Sequence, residues 1–223
     1  RGLLAVRRAA PLLLALLLLL ALAAARAAAE PTRAEALEAL AEPSHDVEVR
    51  RRAALWLAQK GLMEDARALV EALRDQDALV RAFAETALWQ VWSRSGDAEV
   101  DHLFALGVEQ MSARQGDLAV ETFTRVIERK PEFAEGWNKR ATVYYLLGQY
   151  EKSLADCDEV LKRNPHHFGA LSGYGMIYLR LDQPERALAY FERALGVNPN
   201  LASVRETVEM LKALLIKQRK DTI

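Results

Sequence analysis

The sequence predicts an all-α protein, built as a solenoid of stacked helical hairpins. Three observations carry the prediction. From Glu30 onward the apolar residues recur at helical spacing. Between residues 100 and 201 the pattern repeats every 34 residues, and a turn near the middle of each unit and a proline at its end divide it into two antiparallel helices.

The period is clearest in the second unit, residues 134–167, where Trp137, Ala141, Tyr144, Gly148, Tyr150, Leu154 and Pro165 stand in fixed order. A shift of 34 residues forward gives Leu171, Gly175, Tyr178, Asp182, Pro184, Leu188 and Pro199 in unit 168–201. The same shift backward gives Leu103, Gly107, Gln110, Arg114, Gly116, Val120 and Pro131 in unit 100–133. Small residues fall where two helices must approach: Gly107, Ala141 and Gly175 on the first helix, Ala119, Ser153 and Ala187 on the second. Phe123, Cys157 and Phe191 are placed to fill the space between units, Cys157 being the smallest.

On these residues the segment resembles three tetratricopeptide repeats, helix-turn-helix units that stack into a right-handed superhelix. The second unit departs from the family pattern at Arg140, where leucine is usual, and the third at Asp182, where glycine is common. The first lacks both the Trp and the Tyr. After Asn200, residues 202–223 read as an amphipathic helix, with Val204, Val208, Leu211 and Leu215 on one side, capping the last repeat.

Residues 30–96 are helical by a different rule. Thr32-Arg33-Ala34-Glu35 has the form of a capping box, and Leu62, Ala66, Leu69, Val70 and Leu73 mark one helix face. Asp46-x-x-Val49-Arg50-x-x-Ala53 recurs 31 residues on as Asp77-x-x-Val80-Arg81-x-x-Ala84. This resembles HEAT-like repeats, in which the Asp and Arg often link neighbouring units; a plain helical bundle is the alternative. Trp89 and Trp92 are placed to bury the junction with residues 97–201, and one continuous stack is expected.

Residues 1–29 hold four arginines, no acidic side chain and the apolar run Leu12–Ala25, followed by small residues. That is the outline of a signal peptide cleaved after Ala25 or Ala29. The run is shorter than the roughly 20 residues a membrane-crossing helix needs. Export, most simply to a bacterial periplasm, is expected, with an uncleaved membrane anchor or an organellar transit peptide as alternatives. Without this segment 26 basic and 31 acidic side chains remain, a net charge of −5 that does not favour nucleic acid. The lone Cys157 allows no internal disulfide and sits at an apolar helix position.

Little in the chain points to catalysis. There is no Gly-rich phosphate loop and no G-x-S-x-G turn. His166-His167 follow Pro165 and read as a solvated turn, not a metal site; Glu151, Asp156, Asp158 and Glu159 alternate with Lys152, Lys162 and Arg163 and read as solvated faces. No cofactor is called for. A pigment-lyase role follows only by analogy from the HEAT-like resemblance.

The tetratricopeptide resemblance implies a partner-binding groove. In that family the second, fifth, ninth and twelfth places of each first helix face the concave surface. Here they are Asp101, Phe104, Val108 and Met111, then Glu135, Asn138, Thr142 and Tyr145, then Gly169, Ser172, Met176 and Leu179. The family's carboxylate clamp, which holds a C-terminal carboxylate, is replaced by Phe104, Val108, Gly169 and Gly173 at four of its places. A mainly apolar groove with methionine and aromatic side chains suits an extended peptide or an amphipathic helix of another protein. The function expected is a scaffold or adaptor of the cell envelope, or an anchored assembly factor for a larger complex. Cover from the capping helix or a second copy of the chain is the alternative use of the groove.

Overall fold

The computed structural model describes residues 30–221; the leader read in residues 1–29 lies outside them. Among the described residues there are eleven α-helices, one 3-10 turn and no strand. The N-terminal unit holds α1 (Arg33–Ala41), α2 (Val47–Lys60), α3 (Ala66–Ala72) and α4 (Ala78–Trp92). Three hairpins follow: α5 (Ala98–Ser112) with α6 (Gly116–Arg129), α7 (Ala134–Leu146) with α8 (Tyr150–Arg163), and α9 (Phe168–Arg180) with α10 (Pro184–Val197). The last helix is α11 (Ala202–Asp221). The 34-residue period is kept to the residue, since the second helices begin at 116, 150 and 184 and α7, α9 and α11 at 134, 168 and 202.

The turn inside each hairpin places one residue in the left-handed region: Arg114 at φ 59°, Gly148 at 73° and Asp182 at 55°. Only the middle one is a glycine, which takes that conformation without the clash between Cβ and backbone. Gly148 is thus the relaxed copy of a turn that Arg114 and Asp182 adopt at a cost.

Inside the hairpins, size is balanced between facing helices. A Cβ at Gly107 would stand 2.7 Å from the ring of Phe123, and one at Gly175 would stand 2.5 Å from Phe191. In the middle hairpin both partners change: Ala141 packs in one buried cluster with Cys157. Glycine opposite phenylalanine in the outer hairpins becomes alanine opposite cysteine in the middle one.

Arg140, in place of the usual leucine, forms a fork with Asp156: Nε and Nη2 each donate to a carboxylate oxygen at 2.8 Å, and Nη1 reaches Thr124 Oγ1 at 2.9 Å. Asp156 is buried, which corrects the expectation of a solvated acidic face at that position. Its helix periodicity did point outward, but Arg140 of the facing helix in the same hairpin covers it. The capping helix is as expected: Val204, Val208 and Leu211 pack with Ala187 and Phe191. Its other side leaves Met210, Leu214 and Ile216 exposed.

In the N-terminal unit the capping box closes, with Thr32 Oγ1 accepting from Glu35 N–H and the Glu35 carboxylate accepting from Thr32 N–H. The two Asp–Arg copies are equivalent. Asp46 caps α2 and Asp77 caps α4 through side-chain oxygens. Arg50 donates to the Pro43 and His45 carbonyls in its preceding loop, and Arg81 to those of Asp75 and Gln76. Beyond the loop, Arg50 grips the next copy at Asp75, 2.8 Å away. Leu62 alone departs from the expected face, being exposed before the 3-10 turn Met63–Asp65.

The expected continuous stack is not what forms. The core of α1–α4 is shared with Phe168, Val197 and Leu201 of the third hairpin and its following turn. Asn198 and Asn200 bond to Glu85, Arg81 and Leu73, and Arg74 donates to the carbonyls of Gly196 and Val197. Trp89 and Trp92 do bury a junction, yet with the third hairpin and not simply with the next helix in the chain. The N-terminal unit closes back over one edge of the solenoid, because Arg81 has no following copy to grip and finds Asn200 instead.

Candidate partner-binding groove

The first helices α5, α7 and α9 lie side by side, with α7 between the other two. Their surface is divided into a covered end and an open stretch.

At the covered end, the second place of the motif is hemmed in on α7 and α9. Glu135 is fully buried, and a Cβ at Gly169 would stand 2.5 Å from the Trp89 ring. Trp92 stacks on His167 with ring centroids 4.4 Å apart, while Trp89 meets His167 and Phe168 edge-on. His167 is therefore not in a solvated turn, as read from the sequence, but fully buried; His166 alone is exposed. Its Nδ1 accepts from Ala170 N–H at 3.0 Å and caps α9, so Nε2 carries the proton and donates to Glu135 Oε2 at 2.8 Å. Lys139 Nζ lies 3.1 Å from the other Glu135 oxygen. Burial works against the Glu135 carboxylate ion, but the hydrogen bond from His167 and the charge and hydrogen bond of Lys139 prevail and hold it below the usual carboxylate range.

The nine groove residues do not share one environment. Phe104 is part of the core, ring against Phe123 and Phe133, and offers no groove surface; Asn138 is buried with its amide on Glu135 and keeps only a small surface, in the lining of a pocket between α7 and α9. Phe104 is covered by the aromatic rings it packs against, and Asn138 by the Glu135 carboxylate that its amide binds. Val108 and Met111 are half-buried against the first hairpin's core, and Leu179 against the third's. Ser172 and Thr142 return their hydroxyl protons to carbonyls one turn back, Phe168 O and Asn138 O.

Thr142, Tyr145 and Met176 come together on the open stretch. With Asn138, Gly173 and the sulfur-bearing Cys157, they line a pocket of about 120 Å³ between α7 and α9. Tyr145 is steadied by Arg180 Nε, which donates to its hydroxyl at 3.2 Å, and Met176 is 44% exposed. A Cβ at Gly173 would come no closer than 3.8 Å to Cys157 Sγ, so the space beside it is real. The pocket exists because Cys157 stands where the other two hairpins hold phenylalanine. Desolvation pushes the Cys157 thiol up to about 12, which leaves it protonated and inert at neutral pH. Sequence reasoning found the small side chain at 157 and read it as packing; the pocket it opens depends on Gly173, whose neighbours only the fold reveals.

Among the described residues no three His, Cys, Asp or Glu side chains converge as a metal site, and no helix is long and apolar enough to cross a membrane. The fold and groove define a helical-repeat protein made of stacked hairpins. More closely, residues 132–199 match the family model of the tetratricopeptide repeat. The chain is 34% identical over 128 residues to a TPR repeat-containing protein of Rhizobium etli, spanning 57% of this chain and 63% of that one, less than two thirds of the relative's length. In fold it is similar to the Sgt2 TPR domain from Aspergillus fumigatus, with TM-score 0.52 and 20% identity over 56% of this chain and 83% of that domain. The first TPR of RPAP3, bound to an HSP90 peptide, has TM-score 0.51 and 21% identity over 54% and 96%.

Proposed function

We propose that this protein is an interaction scaffold that binds a segment of a partner protein, extended or helical, by taking one of its apolar side chains into the pocket between α7 and α9. The observation that carries the reading is the Cys157 substitution within the repeat, which opens a concave apolar pocket edged by the adaptable side chains of Met176 and Tyr145. The RPAP3 neighbour was solved with a peptide bound, and peptide capture is the corresponding activity here. Since Trp89 closes the groove at Gly169, the segment taken is short and enters beside Thr142.

The leader read in residues 1–29 supports a place in the cell envelope for this scaffold. Recovery of the tagged chain in the periplasmic fraction tests that part; retention with the membrane after high-salt washing would favour the anchored assembly factor.

Affinity capture under mild conditions tests the groove, with two variants as controls. Ala141→Gly with Cys157→Phe transplants the packing of the outer hairpins and fills the pocket from below. Tyr145→Glu with Met176→Glu charges its rim. A partner captured by the native chain and lost with both variants establishes the groove, whereas a partner retained by both would remove it from consideration.

A further inference from the structure

A second cavity, of about 180 Å³, lies where the N-terminal unit meets the turns that end α6 and α8, away from the groove. Two of the residues that line it, Trp92 and Asn164, each carry a buried side-chain donor with no acceptor in the protein, the indole Nε1 and the amide Nδ2. Each residue is only 4% exposed. An indole can donate but never accept, and a buried donor left unpaired forfeits its solvation without recompense. Two such groups in one wall mark a place built for an acceptor.

The third hairpin shows which acceptor. Asn164 and Asn198 are equivalent, 34 residues apart, each ending the second helix of its hairpin. Each turns its Oδ1 to the backbone N–H two residues on, His166 at 3.2 Å and Asn200 at 3.0 Å. The free amide of Asn198 then donates to a carboxylate, Glu85 Oε2, at 3.1 Å. The amide of Asn164 has no such carboxylate. In its place are the cavity and an excess of positive charge, Arg94, Lys130 and Arg163 against Glu132. Arg94 and Arg163 are committed to backbone carbonyls, but the nearest carboxylate oxygen to Lys130 Nζ is 3.9 Å away. The lysine is the countercharge available to a ligand.

We propose that this cavity binds a carboxylate group, with Asn164 and Trp92 as hydrogen-bond donors and Lys130 as the opposing charge. The volume holds a carboxylate with a short tail, a water's share of liquid being about 30 Å³. The carboxylate belongs either to a small organic acid or to an acidic residue or C-terminus of a protein segment, and one titration separates the two. The ¹⁵N-labelled full chain is titrated with sodium acetate, with the tetrapeptide acetyl-Gly-Gly-Leu-Glu, and with sodium chloride at matched ionic strength. The indole N–H signals are followed, that of Trp92 being identified by replacing Trp56, Trp89 and Trp137 singly with Phe.

The expected result is a saturable shift of the Trp92 indole signal with a carboxylate and not with chloride. Lys130→Gln, a change at the rim, should weaken saturation by about tenfold, as loss of a charge-assisted contact implies. Saturation by acetate alone identifies a small acid as the source, and tighter saturation by the tetrapeptide identifies a protein segment. A Trp92 signal that stays fixed in every titration, or moves equally with chloride, overturns the proposal. So does saturation unaffected by Lys130→Gln.

Discussion

Arg81 Nε donates to Asn200 Oδ1 at 3.0 Å, joining residues 119 positions apart. The same asparagine donates its Nδ2 to Leu73 O at 2.8 Å, so one side chain ties both the loop before α4 and α4 itself to the turn before α11. Asn200→Ala leaves the guanidinium and the Leu73 carbonyl without these partners. It should cost about 1–3 kcal/mol, read as a lower denaturant midpoint together with faster amide exchange in α4. Exchange quickening only in α11 would mean that the N-terminal unit is held by other contacts.

The left-handed turns make a prediction with opposite signs. Replacing Arg114 or Asp182 by Gly should stabilise the protein by about 0.5–1 kcal/mol, and Gly148→Ala should destabilise it by about 1 kcal/mol. Arg114 should gain more than Asp182, because aspartate tolerates this region better than a long side chain does. Thermal unfolding of the three single variants checks the order.

Gly173→Ala separates stability from binding. In mid-helix the change favours folding by about 1 kcal/mol, and the added methyl meets nothing nearer than Cys157 Sγ at 3.8 Å. It also narrows the groove pocket. The variant should melt higher yet capture less partner, an outcome that global damage could not produce.

Gly175→Ala, by contrast, should destabilise by about 1–3 kcal/mol through overpacking. Its methyl would stand 2.5 Å from the Phe191 ring, and the ring is buried without room to withdraw. Equal melting temperatures for this variant and the native chain would show that the third hairpin can shift its helices apart.

The Glu135 carboxylate has a folded pKa below the ordinary value of 4.5. Its contribution is therefore complete above the unfolded carboxylate range and is lost as pH falls through the folded value. Glu135→Gln should cost about 1–3 kcal/mol at pH 7, and the difference from the native chain should shrink as the pH is taken toward 3. Chemical denaturation across that range measures it; a constant difference would mean that the side chain contributes shape alone.

The hairpins were legible in the sequence because each follows from short-range rules: apolar spacing, a mid-unit turn and a closing proline. Helices α5 to α10 follow that punctuation. What could not be read is the path of the N-terminal unit. The motif of Asp46 and Arg50 shows that an arginine will seek a partner beyond its own repeat, but not that Arg81 will find it at Asn200. His167 was misplaced for a related reason: local periodicity gives a side chain its face, while burial depends on whichever distant element reaches that face, here Trp89 and Trp92; Asp156 was misplaced because the facing helix carries Arg140 where leucine is usual. The groove fell between these cases. Thr142, Tyr145 and Met176 line one pocket, whereas Phe104 and Asn138 are buried by packing that the register alone does not reveal.

The closure of the N-terminal unit over the third hairpin also sets an order of events during synthesis. Helix α4 leaves the ribosome more than a hundred residues ahead of Asn198 and Asn200, the side chains it must meet. Until His167 and Phe168 appear in turn, Trp89 and Trp92 have neither ring to cover, and the nascent chain presents both indoles to whatever is nearby. Cells making this protein must keep that surface from finding the wrong neighbour, and a chain stopped before the third hairpin would be a substrate for chaperones or proteases.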